Sequence, residues 1–176
     1  GTNDKRWRIE HAQILTPEDF EKFREFTIIP SVQPTHATSD MPWAEDRLGK
    51  ERMKNSYAYK KLLSMNEIIA LGTDFPIEDI DPLKTFYAAT VRKDKEGKPE
   101  SGFQTENALS REEAIRGMTI WAAMANFEDT LRGSLETGKV ADFIILDKDL
   151  MEVEESKILQ TKVISTYVDG NIVFKR

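Results

Sequence analysis

The sequence predicts an α/β fold with parallel strands in its first part, on two observations. Strand-like and helix-like segments alternate from Trp7 to Gly72, and the last strand-like run, Ile68-Ile69-Ala70-Leu71-Gly72, is apolar without alternation. Alternating element types are the mark of strands joined by helical crossovers. A run with no polar side suits a strand buried on both faces of such a sheet. From Gly133 onward the chain turns to short β-rich runs, so a second, smaller β unit is expected there.

The elements follow in order. Trp7 to Glu10 is a short strand. Thr16-Pro17-Glu18-Asp19 starts a helix, with Thr16 as N-cap, proline at the first helical position and an acid three residues after the cap. Phe20, Phe23 and Phe26 then give an apolar helical stripe that reads as core packing. Thr27 to Gln33 is the second strand, with Pro30 near an end or edge, since proline cannot donate to a central ladder. Pro34 to about Asn55 reads as a long polar loop carrying His36, Asp40 and Trp43, long enough to cover part of a site. Tyr57 to Met65 is helical and leads into the third strand.

Past Asp74, Asp81-Pro82 opens a helix through about Val91, and Arg92 to Glu106 reads as a charged, solvated excursion. Ser110-Arg111-Glu112-Glu113 is a capping box for one helix through about Asn126, whose Ala114, Met118, Trp121 and Ala125 share a side. In the tail, Val140 to Leu146, Val163 to Val168 and Asn171 to Phe174 are strands, and Asp169-Gly170 signals a hairpin between the last two. Gly133 to Asp142 is read as the joint between the two units, despite Glu136, Lys139 and Asp142. The expected division is 1–131 and 132–176.

Composition narrows the function classes. The 176 residues, 39% hydrophobic and 32% charged, suit one globular domain with a core. No run reaches the roughly 18 apolar residues of a membrane span. A net charge of −6, with basic residues scattered among acids, argues against a nucleic-acid binder. The absence of cysteine excludes disulfides, thiolate metal sites and cysteine nucleophiles. No phosphate loop, nucleotide fingerprint or serine elbow is present. The start, Gly1-Thr2-Asn3-Asp4, reads as the cut end of a longer chain.

Two motifs about sixty residues apart carry the candidate chemistry: Arg8-Ile9-Glu10-His11-Ala12-Gln13 and Leu71-Gly72-Thr73-Asp74-Phe75-Pro76. Each sets a potential metal ligand, His11 or Asp74, just after a strand-like run. In a barrel of alternating strands and helices, strand C-termini converge on one mouth. Glu10, adjoining His11, is expected on the opposite face of a regular strand, facing solvent or in an inter-strand salt bridge, with support of the His11 site as the alternative. The chain has only two histidines, and His36 stands on the loop after the second strand.

These motifs, together with Ser31 to Met41 and Gly133 to Phe143, resemble the C-terminal part of the amidohydrolase superfamily. Amidohydrolase family 3, which includes N-substituted formamide deformylase-like proteins, is the branch they most resemble. The resemblance runs in order along nearly the whole chain. It implies a metal-dependent (β/α)8 barrel, of the TIM type, with a small β-sandwich built from both chain ends. His11 would then end barrel strand six, Gln33 to His36 would follow strand seven, Asp74 would end strand eight, and 132–176 would be the C-terminal share of the sandwich.

The implied chemistry is hydrolysis of a non-peptide C–N bond, in an amide or formamide-like small molecule, by water activated on a divalent metal, usually zinc. Asp74 would bind metal and act as general base. His11 would be a metal ligand, and His36 and Gln33 would contact substrate. The family also draws ligands from strands one, four and five, none of which this chain contains. A catalytic zinc site generally uses about three protein ligands plus water, so the chain by itself is expected to bind metal weakly and to be inactive without its missing N-terminal part. Three strands of eight leave open edges, so self-association is expected. The alternative is a non-catalytic α/β module used for binding or assembly.

Overall fold

The computed structural model describes residues 4–176, so the Gly1-Thr2-Asn3 start lies outside the described residues. Three parallel strands, β1 (Arg8–Glu10), β2 (Ile29–Val32) and β3 (Ala70–Leu71), form one sheet in the order β1-β2-β3. Helix α1 (Pro17–Glu25) connects β1 to β2, and Asp19 closes its first turn by accepting the Thr16 backbone N–H at 2.9 Å. Phe20 and Phe23 of α1 are buried, whereas Phe26, just past its end, is exposed. Pro30 lies in the central strand, but β3 pairs with β2 only from Ser31 onward. The proline therefore sits where that ladder ends, and costs it no hydrogen bond.

The segment read as a polar loop is helical. It forms α2 (Pro34–Asp40) and α3 (Ala44–Met53), the latter kinked at Gly49, whose φ is 75°. Pro34 through Thr38 are all buried. A helix buried on every side with small polar residues has no apolar stripe, so periodicity does not reveal it. Helix α4 (Tyr59–Asn66) then leads to β3.

Helix α5 (Pro82–Val91) starts where the Asp81 side chain accepts the Leu83 N–H. The single helix expected from Ser110 is two, α6 (Arg111–Met118) and α7 (Ile120–Ala125), broken at Thr119, whose φ and ψ are −126° and −96°. Its capping box is present, and Glu113 also binds Lys60. The excursion after α5 is not wholly solvated. Arg92 is completely buried, and its Nε donates to Phe103 O at 2.9 Å while Nη2 donates to Gln104 Oε1 at 3.2 Å. Its guanidinium lies against the rings of Tyr59 and Phe103.

The tail forms an antiparallel sheet, β4 (Phe143–Leu146), β5 (Val163–Val168) and β6 (Asn171–Lys175), in the order β4-β5-β6. Asp169 and Gly170 both have positive φ, 49° and 74°, the backbone that a tight hairpin needs. Leu150 and Ile158 of the tail join the main core around Phe20, Val32, Tyr59, Leu62 and Phe86. Among the described residues no helix is long and apolar enough to cross a membrane.

Gly117 shows how tightly α6 sits on the parallel sheet. A Cβ there would stand 2.6 Å from Leu71 Cγ and 3.1 Å from Ile69 O. Gly117→Ala is therefore expected to destabilise the fold by about 1–3 kcal/mol through overpacking. Urea unfolding reads this, and an unchanged midpoint would mean that α6 shifts freely over β3.

Candidate active site

Backbone bends at the strand ends position the candidate residues. Directly after β1 the chain turns left-handed at His11 (φ 69°) and Ala12 (φ 41°), and past β3 it does so again at Asp74 (φ 60°). Histidine and aspartate are among the residue types that visit this region most readily; alanine is not. Gln33 ends the β2 segment, and His36 follows it in the first turn of α2.

These bends bring the two motifs together. His11, His36 and Asp74 each offer a ligand atom, and those atoms lie within 4.8 Å of one another. The imidazoles stack with centroids 5.7 Å apart. His36 Nε2 stands 3.4 Å from Asp74 Oδ2, is buried, and has no well-formed hydrogen bond.

His11 Nδ1 lies 2.8 Å from Gln33 Oε1. An amide oxygen only accepts, so Nδ1 carries the proton and Nε2 keeps its lone pair. Gln33, expected at the substrate, thus spends its side-chain oxygen on orienting His11. It is buried, and its backbone carbonyl accepts the Tyr59 hydroxyl at 3.1 Å. Burial pushes the Tyr59 phenol well above its ordinary pKa, keeping it a donor.

Behind His36 lies a polar chain that sequence reasoning missed. Gln13 Nε2 is 3.0 Å from His36 Nδ1 and 3.4 Å from Asp40 Oδ2, and the Tyr57 hydroxyl donates to the same Asp40 oxygen at 2.8 Å. Burial, and then Asp40, push the Tyr57 phenol upward in pKa. Gln13 sits in the first motif, but nothing in the sequence marks Tyr57 as its neighbour. Glu10 is ion-paired with Arg8 of its own strand rather than across strands, and Trp43 is half exposed at the start of α3.

The donor set fits a divalent cation. An imidazole with a free Nε2 lone pair lies near a carboxylate, and nitrogen with oxygen is a combination that zinc accepts. A buried imidazole nitrogen without a partner, facing that carboxylate, shows that the protein's own hydrogen bonds do not complete the cluster.

Imidazoles and a carboxylate beside the ends of parallel strands are the groups that metal-dependent hydrolases use. The chain belongs to the amidohydrolase family, whose profile matches residues 1–174. It is 39% identical to Protein LONG AFTER FAR-RED 3 of Arabidopsis thaliana, over 99% of this chain and 30% of that protein. It is 28% identical to the N-substituted formamide deformylase of Arthrobacter pascens, over 96% of this chain and 31% of that enzyme. Among solved structures, it resembles an uncharacterized metal-dependent hydrolase from Pyrococcus horikoshii OT3, at 35% identity and a TM-score of 0.73. That match covers 84% of this chain and 30% of the other. The chain thus spans about a third of the length of the curated relatives it matches.

Proposed function

We propose that this chain is the C-terminal third of a metal-dependent amidohydrolase, acting on the C–N bond of a small amide or formamide-like molecule. The observation that carries the reading is the convergence of His11 and Asp74, from separate strand ends, onto one cluster with His36. The name of the Arthrobacter pascens relative supports the formamide class of substrate. On this reading β1, β2 and β3 are strands six to eight of a (β/α)8 barrel, residues 1–131 are its final part, and 132–176 are the C-terminal share of a β-sandwich.

His11 Nε2 and Asp74 would hold the metal, probed most simply as zinc, with the other ligands on a longer polypeptide. When bound, the metal polarises the scissile carbonyl and makes its water acidic near neutral pH. Asp74 accepts the proton of that water and can return it to the leaving nitrogen. Gln33 keeps His11 in the tautomer that leaves Nε2 open, the usual duty of a group hydrogen-bonded to a metal-binding imidazole. His36, with Nε2 3.4 Å from Asp74 Oδ2, would contact the reacting amide.

Metal analysis of this chain beside the full-length parent tests the proposal. The chain alone is expected to hold far less than one equivalent of zinc, and the parent to be loaded. A stoichiometric site in the chain alone would overturn the shared-ligand reading. Sedimentation of the same samples reads the self-association proposed for this chain. The exposed apolar residues of β4 and β6, Ile144, Ile145, Ile172, Val173 and Phe174, favour it. A strictly monomeric chain would remove it.

A further inference from the structure

Gln13 meets the Nδ1 edge of His36, and Asp40 meets Gln13. Gln13 Nε2 lies between Asp40 Oδ2, at 3.4 Å, and His36 Nδ1, at 3.0 Å. Asp40 Oδ2 already accepts the Tyr57 hydroxyl, and a carboxylate oxygen has only lone pairs to offer. Were the Gln13 amide turned over, its own oxygen would face that carboxylate oxygen, acceptor against acceptor. The NH2 group therefore stays on the Asp40 side and donates to His36 Nδ1 as well.

A neutral imidazole that accepts at Nδ1 carries its proton at Nε2. In His36 that nitrogen is the buried one, 3.4 Å from Asp74 Oδ2. A protonated nitrogen has no lone pair for a metal. The two stacked imidazoles are thus in opposite tautomers: His11 is protonated at Nδ1 by its contact with Gln33, and His36 at Nε2 by its contact with Gln13.

We infer that Gln13 and Asp40 are positioning residues that lock the proton of His36 on Nε2, the nitrogen nearest Asp74, so that His36 offers a metal no lone pair there although it stands within the cluster. The catalytic meaning of this lock rests on the function proposed above; the tautomer itself does not. An N–H at this position, without a partner in the protein, would favour ligands that present an oxygen acceptor beside Asp74. The Tyr57 hydroxyl anchors Asp40 without touching His36.

Nitrogen-15 NMR of this chain, labelled at histidine, tests the assignment, because only two imidazoles contribute and His11→Gln tells them apart. In the neutral imidazoles, read at mildly alkaline pH, His36 is expected protonated at Nε2 and bare at Nδ1, with His11 the reverse. In Asp40→Asn and in Gln13→Leu the minority tautomer of His36 is expected to gain about fivefold, as one lost hydrogen bond would give. His11 should not change in either. Tyr57→Phe keeps the carboxylate and should leave His36 as it was.

His36 protonated at Nδ1 in the unaltered chain overturns the inference without any variant. An unmoved tautomer in both Asp40→Asn and Gln13→Leu removes the role of these two residues. Excess zinc separates this inference from the proposed function. A response at His11 Nε2 with the His36 proton retained supports both. Loss of the His36 Nε2 proton overturns the donor assignment. A silent His11 is the weak binding expected of this chain alone, and the zinc-free spectra then decide the tautomer by themselves.

Discussion

Arg92→Ala is expected to cost about 4 kcal/mol of folding free energy, from two separable sources. The first is hydrogen bonding: Phe103 O and Gln104 Oε1 each lose a donor in a region where Arg92 itself has no exposure. A buried acceptor left unpaired costs about 1–3 kcal/mol. The second is volume, since the guanidinium lies against the faces of Tyr59 and Phe103 and its removal leaves a cavity there. Against a total stability of about 5–15 kcal/mol, this is a large share. Opposing it, burial lowers the pKa of Arg92, and its Nη1 has no partner, so the native charge is itself costly. Arg92→Met keeps most of the volume and removes the unpartnered charge, so a smaller loss of about 2 kcal/mol is expected. Urea unfolding of the two variants separates the sources. Equal stability in all three proteins would mean that the hydrogen bonds of this arginine only offset its own desolvation.

Asp74→Asn, made in the full-length parent, is expected to lower kcat by about 10³-fold, within the range of a lost general base. Asparagine keeps the shape of the side chain and the backbone contacts around it. Thr73 Oγ1 still accepts the Phe75 N–H, and Asp74 O still accepts the Ile77 N–H. The fold is therefore expected to survive, which thermal unfolding checks. On the proposed mechanism, what is lost is the acceptor for a proton and one charge for the cation. If Asp74 only positioned substrate, KM would rise while kcat held. A parent with unchanged turnover and metal content would take Asp74 out of the mechanism. Because substitution at a metal-binding site can act through metal loss alone, turnover per bound metal is the quantity to compare.

Local chemistry made much of this fold legible. The Thr16-Pro17-Asp19 start of α1, the Ser110 to Glu113 capping box and the Asp169-Gly170 hairpin need only their neighbours in sequence, and all three are present. Helix α2 was not legible, because its Pro34-Thr35-His36-Ala37-Thr38 run is buried by tertiary contacts rather than marked by a stripe. The break at Thr119 and the burial of Arg92 likewise depend on elements distant in sequence. At the site, His11 and Asp74 could be singled out from motif context, and the structure does bring them into one cluster. The orientation of Gln33 toward His11, and the Gln13–Asp40–Tyr57 chain behind His36, arise only when β1, α2 and the segment before α4 meet.

The left-handed turns at His11, Ala12 and Asp74 carry a final consequence. A non-glycine residue in that region costs on the order of 1–2 kcal/mol, and such bends persist only where the surroundings over-determine them. At these strand ends the aiming is thus done by main chain, while the side chains merely inherit a direction. Asparagine at His11 or Asp74, a residue type that also tolerates the left-handed region, would arrive already pointed at the same spot. The donor chemistry of the cluster can therefore change by one substitution while the backbone keeps its course.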